Sequence, residues 1–470
     1  MSNQLTKADA GRKRLKDPTS LTSALRNGGP IAWISTVLMG FGNFTAGQLI
    51  KGLLFLFIEA AYFIYMFFIP TAPDNLSGGG FFWLKKMTTL GDIPFRKEFD
   101  DWGIQIQLPG DESVKILLYG VATICVTVLF IVFWRASVRS GYQAMMVRRN
   151  GKKPLNIFQD IKELFDSKIH KLLMTLPFLG IIVFTIVPLV YMICMAFTNY
   201  DKEHFTKFDW VGFDNFAQLF NSTSGFGDQF WSVLGWTLIW AVFATFLNFF
   251  FGTFVAMVIN RPTTRLKGMW RTLFSLTIAI PQFVSLLLIA NMFKDRGIIN
   301  RTLTEWGWIS EPLPFFKDPT WARILVIVVN LWVGIPYTIM QVTGILKNIP
   351  ADLYEAAKID GANVAQQFIH ITLPYMIFVM TPYIITSFTG NINNFNVIFL
   401  LSGGGPPSPN PAHTAGKTDL LVTWLYKLTF DKQNYKLAAV IGIFTFIVLA
   451  IVSLVTYRSS GSYKDEEGFK

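Results

Sequence analysis

Charged side chains are the main shortage in this 470-residue chain: Asp, Glu, Lys and Arg make up 15% of it, against about a quarter in an ordinary soluble domain. So few charges leave much of the chain with no polar face to offer water. Cysteine is scarcer still. Cys125 and Cys194 both lie in apolar segments, so neither a disulfide framework nor a CxxC metal motif can be assembled. His170, His204, His370 and His413 are scattered over loops and segment ends, which argues against a metal centre. A complete phosphate-binding P-loop is also missing. Ala415-Gly416-Lys417-Thr418 has the ending of one, but the pattern needs Gly five residues before Gly416, and Pro411 stands there. The chain is therefore not expected to hydrolyse ATP alone.

What is present is apolar. Hydrophobic residues make up 52% and aromatic residues 16%. A bilayer core of about 30 Å takes roughly 20 helical residues, and runs of that kind fall near 49–69, 114–134, 172–198, 231–259, 271–293, 322–345, 374–400 and 436–457. Backbone polar groups in lipid must be satisfied within the segment, so these runs are read as helices. The expected fold is all-α and polytopic, with about eight spans. The net charge of +11 is dispersed between the apolar runs rather than gathered in one patch, which argues for a membrane protein and against a nucleic-acid binder.

Loop charge sets the orientation. Lys and Arg concentrate in the N-terminal tail, in 135–171 and in 260–271, whereas 70–113, 199–230, 294–321 and 401–435 are less basic. Positively charged loops stay cytoplasmic, so both termini are expected inside. The run Ile31–Gly42 is too short to cross. It follows a basic N-terminus as a signal peptide would, but no small-residue cleavage site follows it, so it is read as a retained re-entrant or interfacial piece. Pro188, Pro281, Pro336 and Pro382 stand inside apolar runs and can kink helices.

Between the sixth and seventh runs the chain reads as a short amphipathic helix, a Gly turn and a second short helix. Pro350 suits a first helical position and Asp352 a helix N-terminus. Gly361 is placed to end the first helix in a left-handed conformation. Physics alone leaves open whether this is a docking knob or an interfacial linker. The residues Glu355-Ala356-Ala357, then Asp360-Gly361-Ala362, then Ile371-Thr372-Leu373-Pro374 resemble the EAA loop of binding-protein-dependent ABC importer permeases. Phe197-Thr198-Asn199-Tyr200, Trp210-Val211-Gly212-Phe213, Ile335-Pro336-Tyr337, Asn391 to Asn396, Gly403-Gly404-Gly405-Pro406 and Thr418 to Val422 extend the likeness to the MalF-type subunit of maltose and maltodextrin importers.

That resemblance implies a six-helix type I importer core over 171–460, including a coupling loop at 350–374. Ahead of it would come a basic tail (1–29) and extra membrane segments (30–170), with a cytoplasmic loop at 135–170 and a short outer loop at 70–113. A second tail would occupy 461–470. The outer loop is too short for the large periplasmic domain of the gram-negative subunit and fits gram-positive relatives with a lipoprotein binding component. The implied role is a non-catalytic permease in a bacterial plasma membrane, forming half of an oligosaccharide pathway. Its implied partners are a MalG-type second permease, a homodimeric ATPase that holds ATP and Mg, and an extracytoplasmic sugar-binding protein.

Two stretches are candidates to meet substrate. In the seventh run Ser387, Asn391, Asn394 and, less securely, Val397 recur at helical spacing, and amides suit sugar hydroxyls. In the sixth, Gly334-Ile335-Pro336-Tyr337 offers a kink and an aromatic face. Interhelical hydrogen-bond glue would explain the same residues. By the resemblance, Val333, Gly334, Tyr337, Ser387, Gly390, Asn391, Asn394 and Val397 match sugar-contacting positions, with Gly390 where an aromatic is common, so a galacto-oligosaccharide or other glycan is an alternative to maltodextrin. A membrane glycan-handling enzyme would need an acidic cluster, and the close pair Asp100-Asp101 in the first outer loop reads as a solvated turn. A secondary transporter would need internal repeats and mid-membrane charges. Glu59 alone is no relay and reads as a hydrogen-bonded structural acid.

Overall fold

The computed structural model describes residues 20–71, 77–92, 96–99, 102–108, 110–221, 225–261 and 263–459. The terminal tails beyond them, with most of the N-terminal basic residues, and Asp100-Asp101 lie outside the described residues. The chain divides into two compact units, Met1–Trp210 and Val211–Lys470.

The first unit begins with α1 (Leu21–Asn27), α2 (Gly29–Val37) and α3 (Phe41–Thr45). The run at 31–42 is thus broken into two short helices by a turn at Gly40, where φ is +82°. Neither piece is long enough to cross a bilayer. α4 (Leu49–Phe63) continues through a π-turn to Phe68 as the first long apolar helix. Glu59 on α4 is buried, and its carboxylate accepts the backbone N–H of Met39 at 2.8 Å. It thereby ties down the turn between α2 and α3, the structural use expected of it.

The 70–113 segment contains α5 (Gly80–Met87) and a small antiparallel hairpin, β1 (Arg96–Phe99) with β2 (Gln105–Leu108), in which Phe99 faces Gln105. α6 (Ser113–Arg149) has 37 residues, about 56 Å at 1.5 Å each. It outruns the bilayer, so the start of the stretch read as a basic loop from 135 is a continuation of this helix. No proline interrupts the stretch before Asn150-Gly151. α7 (Ile157–Phe165) follows, then α8 (Ile169–Ile181), a π-turn and α9 (Val187–Met195), which together form one long apolar helix. α9 packs on α6.

The second unit opens with α10 (Asp214–Phe220) and α11 (Phe226–Asn260), its central helix. The run at 271–293 is not one straight span. α12 (Lys267–Ala279) and α13 (Gln282–Met292) meet at an 89° bend. Pro281 supplies the reason: it lacks the N–H that would continue the ladder, and it pushes Ile280 into extended backbone (ψ 127°). α14 (Ile298–Glu305) precedes α15 (Pro319–Leu346). α15 starts sharply because Asp318 accepts the N–H groups of Thr320 and Trp321 at 2.8 and 3.0 Å, with Pro319 in the first turn.

After the 350–374 segment come α18 (Leu373–Ile392), α19 (Phe395–Leu401), α20 (Leu421–Phe430) and α21 (Tyr435–Ser459). Among the described residues, seven helices are long and apolar enough to cross a membrane, and the α12–α13 pair makes up to eight.

The core of this unit is built on a small-residue stripe along α11: Ala241, Ala244, Thr245, Asn248, Gly252 and Ala256, all buried. Small side chains let α15 and α18 approach closely, which is how helices associate where lipid removes the hydrophobic drive. A Cβ at Gly252 would press on Thr338 of α15. Above and below the stripe, Trp240, Val326, Val397 and Ile398 fill one apolar cluster, and Ile259, Ile339, Val342 and Met376 another.

Candidate functional site

The 350–374 segment forms α16 (Ala351–Ile359), a turn, and α17 (Val364–Gln367). Pro350 is the residue before the helix rather than its first helical position, and Asp352 lies in the first turn. At the other end Ala362 N–H donates to Ala357 O at 2.8 Å and Gly361 N–H to Lys358 O at 3.1 Å. With Gly361 at φ +76°, this is a Schellman ending, in which left-handed glycine lets the chain satisfy the last carbonyls and reverse. Asn363 and Gln366 then cap α17 reciprocally, side chain to backbone, at 2.8 and 2.9 Å.

From α17 the chain runs through a π-turn (Phe368–Thr372) directly into α18. Tyr354 Oη lies 2.8 Å from Thr372 Oγ1, so α16 is also bonded sideways to the base of α18. Glu355, Ala356, Asp360 and Gly361 are exposed, and Ala357 and Ala362 partly so. Leu353, Ile359 and Val364 are exposed apolar neighbours. The result is an exposed knob carrying apolar side chains, hydrogen-bonded through its turn and continuous with a membrane helix.

The eight mid-span candidates are placed unequally. Tyr337 is 50% exposed, Gly390 is exposed with nothing within 4 Å of a Cβ built on it, and Val333, Gly334, Ser387 and Asn394 are partly exposed. Asn391 is only 9% exposed. Its Nδ2 donates to Thr245 Oγ1 at 3.0 Å, and its carbonyl accepts Trp240 Nε1 at 2.9 Å. Val397 is buried in the apolar cluster that Val333 joins. Helical spacing does not carry through to Asn394 and Val397, because α18 ends at Ile392. Asn394 instead caps α19, accepting Val397 N–H at 3.2 Å, and its Nδ2 meets Asn330 Oδ1 of α15 at 3.4 Å.

Sequence reasoning passed over three members of this layer. Thr245 and Asn248 lie on α11 and Asn330 on α15, all buried. Gly334 abuts the Asn248 carboxamide so closely that a Cβ would overlap it. Asn248 Oδ1 and Asn330 Nδ2 have no hydrogen-bond partner among the described residues. An amide inside an apolar run is the available signal, but spacing within one run does not show which other run it meets.

The segments Gly403–Pro406 and Thr418–Val422, noted separately in sequence, form one knot. Asp419 is buried and accepts Gly416 N–H at 2.7 Å, Thr423 Oγ1 at 2.9 Å and Lys427 Nζ at 2.6 Å. Burial raises its carboxyl above the usual carboxylate range, against the opposing pull of Lys427. The N–H groups of Gly416, Lys417 and Thr418 are all taken, by Asp419, Pro406 O and Gly404 O. That leaves none of them free to cradle a phosphate. Gln229, Trp236 and Arg323 bind the same loop from α11 and α15 through its carbonyls.

Residues 248–460 match the family of binding-protein-dependent transport system inner membrane components. Over 93% of its length the chain is 35% identical to the galactooligosaccharides transport system permease protein GanP of Bacillus subtilis, covering 99% of that protein. It is 32% identical to the maltodextrin permease MdxF of the same organism, again over 93% of this chain and covering 97% of that one. The maltose/maltodextrin permease MalF of Vibrio vulnificus matches at 36% identity over 53% of this chain and 48% of its own length. Among solved structures, a bacterial ABC transporter importing alginate aligns with a TM-score of 0.53 and 22% identity, covering 63% of this chain and 96% of that one, which bears on the fold alone. With its apolar helices and exposed 350–374 loop, this chain belongs to the inner-membrane permease family of binding-protein-dependent ABC importers.

Proposed function

We propose that this permease provides half of the pathway for a neutral oligosaccharide, and that its knob docks on a separate ATPase. The observation that carries the substrate reading is the chemistry of the mid-span candidates. They are amides, a hydroxyl, a phenol, glycines and valines, with no carboxylate or cation among them. A neutral polyol needs such donors and acceptors and an aromatic face, whereas an acidic polysaccharide needs cations. Maltodextrin and galacto-oligosaccharide are the two candidate classes, since relatives named for each align over 93% of the chain. Open space at Gly390 fits a broader sugar than a ring at that position would admit.

Tyr337, Ser387 and Gly390 have exposed surface toward which a second permease would turn its own groups. Asn391 and Val397, sequestered within this chain, would reach sugar only after α18 and α19 shift against α11. In the proposed cycle an extracytoplasmic binding protein delivers the sugar. ATP and Mg are held by a homodimeric ATPase, and its closure moves α16 and, through the π-turn, α18. Coupling between ATP side and sugar side must be reciprocal. The basic segments support a cytoplasmic side for both termini and the knob.

The test is reconstitution of this chain with its second permease, ATPase and binding protein in liposomes. ATP hydrolysis stimulated by maltodextrin or galacto-oligosaccharide, and not by alginate fragments, is expected. Uptake driven by an ion gradient without ATP would overturn the reading. Impermeant thiol labelling of single cysteines in 199–230 and 350–374 checks the sidedness.

A further inference from the structure

Besides the proposed transport, the first unit carries a surface with no use in it. α7 has two faces. Ile157, Asp160 and Leu164 turn toward the protein, and Lys51 of α4 pairs with Asp160 at 2.9 Å. On the adjoining side Phe158, Ile161 and Phe165 are 72, 45 and 63% exposed. Their i, i+3, i+7 spacing gathers them in one apolar stripe. A stripe of that size facing water would be costly, and a soluble surface rarely presents one.

Its depth says what covers it. Gln48 Nε2 donates to Leu155 O at 2.6 Å, and with Lys51–Asp160 this pins the start of α7 to the start of α4. α4 is a membrane span, and its first-turn residues Leu49, Ile50 and Leu53 are themselves exposed and apolar. α7 therefore sits at the level where a bilayer begins. The flanking charge agrees. Asp160 and Glu163 are paired with Lys51 and Lys168, while Arg149, Lys152, Lys153, Lys162 and Lys171 have no carboxylate partner among the described residues. Asp166 and His170 are the remaining titratable neighbours.

We infer that α7 lies in the plane of the membrane interface, with Phe158, Ile161 and Phe165 in the acyl boundary and the surrounding cations on anionic lipid headgroups. On the sidedness proposed above, the leaflet is the cytoplasmic one. An in-plane amphipathic helix with a basic polar margin binds in this way. It would anchor the cytoplasmic end of the first unit to the lipid surface, making the transporter sensitive to the charge of the leaflet.

The test uses the full chain in liposomes of phosphatidylcholine, alone or with roughly one part in three phosphatidylglycerol. Cys125→Ser and Cys194→Ser remove the native thiols, and nitroxides are placed at Phe158→Cys, Ile161→Cys and Phe165→Cys. Collision with oxygen exceeding that with a polar nickel chelate at all three positions is expected. The reverse order, showing water, overturns the inference. So do low collision rates with both, which would mean that a protein covers the stripe. Separately, the phosphatidylglycerol retained on purified protein should fall at least about fivefold when Lys152, Lys153 and Lys162 are changed to Gln. Unchanged retention refutes the headgroup contacts even if the stripe is lipid-covered. Neither readout depends on transport, so failure here is distinguishable from failure of the substrate reading.

Discussion

Gly334→Ala, set against Gly344→Ala in the same helix, isolates the contact that fixes α15 on α11. Replacing Gly by Ala inside a helix gains about 1 kcal/mol from backbone propensity. At Gly344 the new methyl meets nothing within 4 Å, whereas at Gly334 it overlaps the Asn248 side chain, which is itself buried. Adding a methyl to a packed interior costs roughly 1–3 kcal/mol. The propensity gain is common to both variants and cancels in their difference, so Gly334→Ala should be less stable than Gly344→Ala by about 1–3 kcal/mol. The thermal midpoint of the purified chain in detergent reads that difference. A double variant sharpens it. Asn248 Oδ1 has no hydrogen-bond partner among the described residues, so truncation there forfeits little bonding and vacates the space the methyl needs. Asn248→Ala should therefore rescue Gly334→Ala, with a coupling of 0.5 kcal/mol or more, on the order expected for touching side chains. Equal midpoints for the two glycine variants, or additive behaviour of the double variant, would refute the close approach of α15 to α11 on which the mid-span layer rests.

Other substitutions probe the remaining features. Gly361→Ala has open space for its methyl but forces alanine into a left-handed backbone at a cost of about 1–2 kcal/mol. Sugar-stimulated ATPase should fall in the reconstituted complex, and Gly361→Asn should recover much of it. Tyr354→Phe removes the hydroxyl bonded to Thr372, worth about 0.5–1.5 kcal/mol. It should lower the sugar moved per ATP hydrolysed while leaving membrane insertion intact. Glu59→Gln keeps an oxygen for Met39 N–H and should transport normally. Glu59→Leu strands that buried donor and should lower the thermal midpoint, at about 1–3 kcal/mol; loss of transport in the Gln variant alone would mean that the charge has a functional role. Lys427→Met leaves the buried Asp419 without its cation and should cost about 3–5 kcal/mol. Adding Asp419→Asn should restore part of the midpoint, and a double variant worse than the single would refute the pairing.

Hydrophobic run length made the membrane helices legible, because the bilayer imposes a length on any helix that crosses it. Pro281 was visible as a possible kink, but not the 89° bend there. A proline removes one hydrogen bond, and the neighbouring packing decides whether the helix leans or folds. Gly361 was readable because a left-handed helix ending is a local matter of backbone sterics. An amide such as that of Asn391 suits either a sugar pathway or bonding between helices, and in this chain it bonds to Thr245 while its backbone carbonyl accepts from Trp240, both of α11. Spacing within one segment says which residues share a face, but not what that face meets. The same limit hid Asn248, whose importance lies in touching Gly334, about ninety residues later in the chain. The basic stretch after 135 showed its charge plainly and concealed its helices, since Lys and Arg are good helix formers as well as loop markers.

The mid-span layer and the knob are the two ends of one helix, and that connection constrains how coupling can work. α18 begins just after Thr372, which Tyr354 bonds, and ends at Ile392, one residue past Asn391, whose amide and backbone carbonyl are both held by α11. A push on α16 can therefore follow two routes into α18: along the chain through the π-turn, and sideways through the tyrosine. π-turns carry one more residue per turn than the ladder needs and are frequent at functional sites, so the chain route is the softer one. The lateral bond closes a triangle of α16, turn and α18 that turns bending at the π-turn into tilting of α18. At the far end the break after Ile392 separates that tilt from α19, which is anchored in the apolar cluster by Val397 and Ile398. Motion of the knob in the proposed cycle would then appear at Asn391–Asn394 as a change in the angle between α18 and α19. Those are the residues whose amides would have to exchange partners within this chain for contacts to a sugar.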